Sequence, residues 1–76
     1  MTHRYHINLF WSDADTAWIA DVPDLAGCSA WGATPEAALH EVEIAISEWI
    51  AVATDDAKVI PPARYSPAIY AVTRAA

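Results

Sequence analysis

The chain has 76 residues, of which 55% are hydrophobic, and its ten Asp or Glu stand against four Lys or Arg. This apolar content excludes a disordered chain and predicts one folded domain over residues 1–76. Its core is small enough that a homo-oligomer, dimer or tetramer, is expected. The formal charge of -6 repels phosphate backbones, so it argues against direct nucleic-acid binding and favours a basic protein partner.

The single cysteine and the amino-terminal sequence bear on localisation. Cys28 cannot form an intramolecular disulfide, and residues 1–6 lack the basic-then-apolar pattern of a signal peptide. No apolar run approaches the roughly 20 residues that a membrane-spanning helix needs. We therefore expect a cytoplasmic protein with no membrane segment.

The first third of the chain predicts an antiparallel hairpin. Apolar and polar residues alternate over Tyr5–Trp11, the period of a half-buried strand. Ser12–Asp15 supplies turn formers, and extended character resumes over Thr16–Val22. Pro23 cannot donate to a strand ladder, so we expect the second strand to end before it.

A loop and a short third strand follow. The loop spans Pro23–Gly27, with Leu25 as its expected buried anchor and a glycine that permits a backbone conformation closed to other residues. Cys28–Gly32 is then short and bounded by two glycines, which indicates a strand that returns to the sheet.

The second half begins with a helix. Thr34 is a good N-cap, Pro35 fits the first helical position, and Glu36 favours the positive end of the helix dipole. An apolar stripe recurs at helical spacing through Ala38, Leu39, Val42, Ala45, Ile46, Trp49, Ile50 and Ala53. Because acids are unfavourable at the negative end of a helix, we expect the helix to stop before Thr54–Asp56.

The remaining residues predict an extended exit and a final strand. Val59–Pro62 is stiff, and Tyr65–Thr73 contains Ile69, Tyr70 and Val72, which could form a short strand. Pro67 restricts such a strand to a sheet edge, or else stands at its first residue. The order β-β-β-α-β predicts an α+β fold with an antiparallel hairpin and one long helix.

Several short motifs carry a family resemblance. They are Val22-Pro23-Asp24-Leu25, Gly27-Cys28, Gly32, Thr34-Pro35-Glu36-Ala37-Ala38-Leu39 and Ile60-Pro61. In this order they resemble the HicB-type antitoxins of bacterial toxin–antitoxin systems, over roughly Tyr5–Pro62. The resemblance implies a partial ribonuclease H-like fold, an antiparallel sheet with one long helix on one face. It also implies a binding protein, not an enzyme, whose partner is a small basic HicA-type ribonuclease toxin. Two departures from the family pattern are Ala26 for a proline and Ala33 for an acidic residue.

Many proteins of that family continue into a DNA-binding domain. Here only Ala63–Ala76 follow, which are too few for a ribbon-helix-helix or helix-turn-helix domain. We therefore do not carry operator binding over to this chain.

Side chains that could support catalysis or metal binding are present but scattered. The acids considered for a metal site are Asp13, Asp15, Asp21, Asp24, Glu36 and Glu43. They are predicted in turns, loops and the solvent face of the helix, and the three histidines have no zinc spacing and are expected at the surface. Cys28 is expected as a small buried hydrophobe. We predict no catalytic residue, no metal and no cofactor.

The tryptophans and some of the acids are the candidates for partner contact. Trp49 lies on the apolar stripe and is expected in the core, whereas Trp11 or Trp31 is expected at a protein interface. For toxin contact we single out Asp21, Asp24, Trp31 and Glu36.

An alternative function is a solitary oligomeric scaffold or a small-ligand-binding domain. In that interpretation Tyr65–Val72 exchanges between protomers as an edge strand.

Overall fold

The computed structural model describes residues 3–66, which contain three strands and one helix. The strands are β1 (Asn8–Ser12), β2 (Ala17–Asp21) and β3 (Ser29–Gly32), and the helix is α1 (Pro35–Asp55). They form an antiparallel sheet in the order β1-β2-β3, which confirms the predicted α+β class and the β-β-β-α order. The predicted last strand, over residues 65–73, falls mostly outside the described residues.

The hairpin forms as predicted, but its first strand begins later. β1 starts at Asn8, which pairs with Asp21, the last residue of β2. Because the chain turns away at Pro23, β2 does not continue opposite residues 5–7. Tyr5 and Ile7 instead pack against the core from outside the sheet.

The loop after β2 is closed by its own hydrogen bonds. The Val22 N–H donates to the Cys28 carbonyl at 3.0 Å, and the Cys28 N–H donates to the Leu25 carbonyl at 3.0 Å. Gly27 has a φ of +74°, which a residue with a side chain rarely adopts. Leu25 is buried, which confirms its predicted role as an anchor.

The helix begins as the sequence predicts. Thr34 has extended backbone angles, and its hydroxyl accepts the Ala37 N–H at 3.1 Å. Pro35 occupies the first turn, where its missing N–H has no intrahelical partner to lose. The N-cap assignment is therefore confirmed.

The helix end differs from the prediction, since α1 continues through Asp55. Ala53 is buried, the Thr54 hydroxyl donates to the Ile50 carbonyl at 2.8 Å, and the Lys58 N–H donates to the Ala53 carbonyl at 2.8 Å. A surface charge at the wrong helix end costs about 0.3–1 kcal/mol. Packing and capping of the last turn outweigh that cost.

The core lies between the sheet and α1. Its buried residues are Ala20, Val22, Leu25, Cys28, Ala38, Val42 and Ile46, with Trp49 half-buried against them. The helix packs chiefly on β3, less on β2 and least on β1. As a result, Leu9 and Trp11 of β1 stay partly exposed although they lie on the helix-covered face.

The segment after the helix returns to the amino-terminal segment and to the β2–β3 loop. The Tyr5 hydroxyl donates to the Pro61 carbonyl, and the His6 ring lies against the Tyr65 ring with centroids 4.7 Å apart. The expectation of surface histidines holds for His40, whereas His3 and His6 are half-buried.

Asp24 fastens this returning segment. Its Oδ2 atom accepts the backbone N–H groups of Arg64 at 2.9 Å and Tyr65 at 3.0 Å. We expect Asp24→Ala to release residues 64–65, with a loss of about 0.5–1.5 kcal/mol because two hydrogen bonds to a partly exposed acceptor are removed. In Asp24→Ala, hydrogen exchange of the Arg64 and Tyr65 amides should become faster. Asp55→Ala, which changes an exposed acid, is the control and should leave that exchange unchanged. Equal exchange in both variants would contradict this role.

Candidate protein interface

The four predicted contact residues lie on different parts of the fold. Asp21 and Trp31 share the sheet face that the helix does not cover, where they are diagonal neighbours across β2 and β3. Asp24 lies in the β2–β3 loop with its carboxylate hydrogen-bonded internally, and Glu36 is exposed in the first turn of α1. The structure thus brings two of the four onto one face.

The uncovered sheet face carries a row of large apolar side chains. Phe10 pairs with Ile19, and Ile19 pairs with Trp31, so all three point to the same side of the sheet. Phe10 is 47% exposed and Trp31 is 69% exposed. We call these three residues the open-face row.

A second surface runs between the outer edge of the sheet and the helix. Two adjoining depressions, of about 390 and 610 Å³, share Ser29, Ala45 and Glu48. We define the β3–α1 groove by Ser29–Gly32 of β3 and by Glu41, Ile44, Ala45, Glu48 and Val52 of α1. Trp31 lies where this groove meets the open-face row.

The charges along the β3–α1 groove are mainly negative. Glu41 and Glu48 lie on the groove side of α1, and Asp56 lies at its carboxyl-terminal end with Lys58 beside it. Between the acids lie exposed apolar side chains, Ile44 and Val52. An apolar floor with an acidic border is suited to a partner that offers apolar and cationic side chains together.

The backbone of β3 adds hydrogen-bonding capacity to this groove. The Val22–Cys28 bond sets the ladder alternation, so Ala30 is hydrogen-bonded to Ala20 of β2. By the same alternation, the N–H and C=O groups of Ser29 and Trp31 point away from β2. Within residues 3–66, the sheet places no further strand beyond β3.

Among residues 3–66, neither Cys28 nor the acids considered for a metal site are arranged for catalysis or metal binding. Cys28 is buried in the core, and burial, with a smaller contribution from the negative charge of Asp21, raises the pKa of its thiol. A raised pKa keeps the thiol protonated and a poor nucleophile. Among residues 3–66, no three His, Cys, Asp or Glu side chains are grouped to hold a metal ion.

The sequence reasoning missed the groove side of α1. None of Glu41, Ile44 and Glu48 is among the four predicted contact residues, and Ile44 lies off the predicted apolar stripe of the helix. That large apolar residue between two acids on one helix flank, 43% exposed in the structure, was the available signal. Trp49 packs against the core as predicted. Trp11 and Trp31 are exposed, and their place in a protein interface stays a prediction.

The fold, the open-face row and the β3–α1 groove define a class of protein: a small α+β domain whose surface is suited to binding another protein. A family model described as the HicB-like antitoxin of bacterial toxin–antitoxin systems matches residues 5–72. The chain belongs to this family, and its role is accordingly a regulatory one in a toxin–antitoxin system. Searches of curated proteins and of solved structures gave no significant match. No helix within residues 3–66 is long and apolar enough to cross a membrane.

Proposed function

We propose that the chain, acting as a single HicB-like domain, binds and neutralises a small basic HicA-type toxin that cleaves mRNA. Membership of the antitoxin family, with a match over residues 5–72, is the observation that carries this proposal. Occlusion of the toxin's RNA-binding face is the mechanism. It requires neither a cofactor nor a catalytic group from the antitoxin, and it takes place in the cytoplasm, where mRNA is found.

The charge of the chain supports occlusion as the mechanism. A protein that grips RNA presents cations to phosphate groups. An acidic protein with a formal charge of -6 is attracted to the same cations, so it competes for the surface on which the RNA must lie. Charge complementarity also speeds association, which suits a protein that must intercept a toxin before it reaches RNA.

The contact residues follow from exposure and from charge. Trp31, with 69% of its surface exposed, is the proposed aromatic anchor, and Asp21 on the same sheet face is a proposed acidic contact. Glu36 is exposed at the start of α1 and is proposed as a second acidic contact. Asp24 is proposed as a third acidic contact, and its hydrogen bonds to residues 64 and 65 give it a further role in holding that segment.

Co-expression with the small reading frame next to this gene tests the proposal. We expect a stoichiometric complex to co-purify, with its mass measured by size exclusion and light scattering. A Trp31→Ala variant should yield less complex, because hot-spot aromatics typically contribute about 2 kcal/mol or more to binding. Recovery of this chain alone, as a homo-oligomer with no captured partner, would favour the solitary scaffold instead.

We also propose that the chain self-associates through Phe10 and Ile19, the two residues of the open-face row on β1 and β2, so that Trp31 on β3 stays available to the toxin. The centre of this row is apolar and uncharged, so two acidic copies can meet there with less repulsion than elsewhere on their surfaces. Sheet faces of this kind pack about 10 Å apart with interleaved side chains. This leaves the β3–α1 groove available to a different partner.

A substitution on the row tests self-association. We expect Phe10→Lys to shift the chain to monomer, because a buried unpaired cation is strongly unfavourable in an apolar interface. Val59→Lys is the matched control, since Val59 is exposed and lies outside the row. Light scattering over a concentration series measures the outcome, and an unchanged mass for Phe10→Lys would contradict the proposal.

A further inference from the structure

We propose that the β3–α1 groove binds an extended strand of a basic protein, which pairs with the outer edge of β3 and sets its Lys or Arg side chains against Glu41 and Glu48. The inference rests on the proposed function and deepens it, because it states how the toxin would be held. The occupant is defined by its chemistry: a strand with apolar side chains toward both Trp31 and Ile44, and with cationic side chains toward Glu41 and Glu48.

The first step is the backbone of β3. Ser29 and Trp31 direct their N–H and C=O groups to the outer edge, whereas Ala30 bonds inward to β2. A strand added here would extend the sheet from three strands to four and satisfy those groups. Ser29 and Trp31 are exposed, so no described side chain has to move aside first.

The second step is the side chains on either side of that edge. A paired strand presents alternate residues to the two faces of the sheet. On one face its side chains would cover the Trp31 ring, and on the other they would meet Ile44, which is also exposed. The added strand therefore gains apolar contact on both faces.

The third step is charge, which decides between occupants. Glu41, Glu48 and Asp56 border the groove with one cation, Lys58, near its end. If a second copy paired edge to edge with β3 about a two-fold axis, each copy's Glu41 and Glu48 would face acids of the other, since the same patch meets itself. A basic strand meets no such repulsion.

Residues 61–65, which follow the helix, contact the amino-terminal segment and the β2–β3 loop. Pro61 accepts the Tyr5 hydroxyl bond, and Tyr65 lies against His6 and is held by Asp24. Tyr5 and His6 lead into β1, the edge strand on the opposite side of the sheet from β3. These contacts favour a separate protein as the occupant of the groove.

Two matched double variants test the charge step. Glu41→Gln/Glu48→Gln removes two charges from the groove. Asp13→Asn/Glu43→Gln is the control and removes two charges outside it, since Asp13 lies in the turn between β1 and β2 and Glu43 lies about 200° from Glu41 around the helix. The Asn oxygen at position 13 can still accept the Trp11 Nε1–H bond. With the co-purified toxin as the probe, we expect the groove variant to bind about tenfold more weakly than the control. The difference should shrink as salt is raised.

Amide hydrogen exchange tests the backbone step on the unmodified protein. The Ser29 and Trp31 amides should exchange fast in the free chain and slowly in the complex. The Ala30 amide, bonded to β2, should be protected in both and serves as the internal control.

The outcomes separate this inference from the function on which it rests. If the toxin binds but the two double variants bind equally well and the Ser29 and Trp31 amides stay unprotected, the groove proposal is overturned and the antitoxin function stands. If the wild-type chain binds no toxin, both fail. Protection of these amides in the chain alone, rising with concentration, would assign the groove to a second copy and overturn the proposal.

Discussion

Leu25→Ala should cost about 2–5 kcal/mol of unfolding free energy, the usual range for a large-to-small change at a fully buried leucine. Leu25 is 1% exposed and belongs to the core, although it comes from a loop between two strands. Its backbone carbonyl also accepts the Cys28 N–H, so the loop is held by packing and by hydrogen bonds together. In a chain of this size the melting temperature should fall by about 10 °C or more.

The matched control for this change is a valine at the surface. Val59 is 89% exposed, so Val59→Ala should alter stability by less than about 0.5 kcal/mol. Thermal and urea unfolding of both variants, followed by tryptophan fluorescence, measure the difference. If Leu25→Ala unfolds at the same temperature as Val59→Ala, the loop is not part of the core.

Gly32→Ala should be similarly damaging for a different reason. A Cβ at this position would lie 2.5 Å from the Ala38 nitrogen and 2.8 Å from two atoms of Ala37. Two of those three atoms are backbone, so a change of rotamer cannot relieve the clash. Overpacking of this kind costs about 1–3 kcal/mol or more, because β3 and the first turn of α1 must move apart.

Gly27→Ala provides the comparison for that prediction. A Cβ at Gly27 meets nothing within 4 Å, so its cost comes only from the left-handed backbone, about 1–2 kcal/mol. We expect Gly32→Ala to unfold at a lower temperature and to change the amide spectrum of residues 35–39, which Gly27→Ala should leave intact. A Gly32→Ala variant as stable as the wild type would show that β3 and α1 are not closely packed there.

The parts of the fold that sequence predicts well are those set by local chemistry. Thr34, Pro35 and Glu36 each have a reason to begin a helix that depends only on their neighbours, and the helix begins there. Pro23 and Gly27 likewise bound the loop through their own backbone limits. Leu25 was identifiable because it is the large apolar residue between them.

The parts of the fold that the sequence predicted wrongly depend on residues far away in the chain. The alternation over residues 5–11 indicates a strand, but β2 ends at Asp21 and does not continue opposite residues 5–7. The acids at the end of α1 argue for a stop before Thr54, yet the helix runs two residues further, to Asp55, because Ala53 is buried and its carbonyl accepts the Lys58 N–H. Local preferences of a few tenths of a kcal/mol yield to packing of this kind.

The candidate interface also has some residues that the sequence indicates and others that only the structure brings together. Trp31 stood out in the sequence as a large aromatic near a strand end, and it is exposed. The grouping of Glu41, Ile44 and Glu48 beside β3 was not visible, since it depends on how the helix is rotated over the sheet. The role of Asp24 in holding residues 64 and 65 requires a contact across about 40 positions of sequence.

The most direct test of the antitoxin function is a titration of RNA cleavage. Purified toxin from the neighbouring reading frame is mixed with increasing amounts of this chain, and cleavage of an mRNA substrate is followed on a gel. The proposed occlusion predicts that cleavage falls linearly and stops at a fixed molar ratio. Cleavage that continues unchanged at a large excess of this chain would contradict the proposal that it neutralises the toxin.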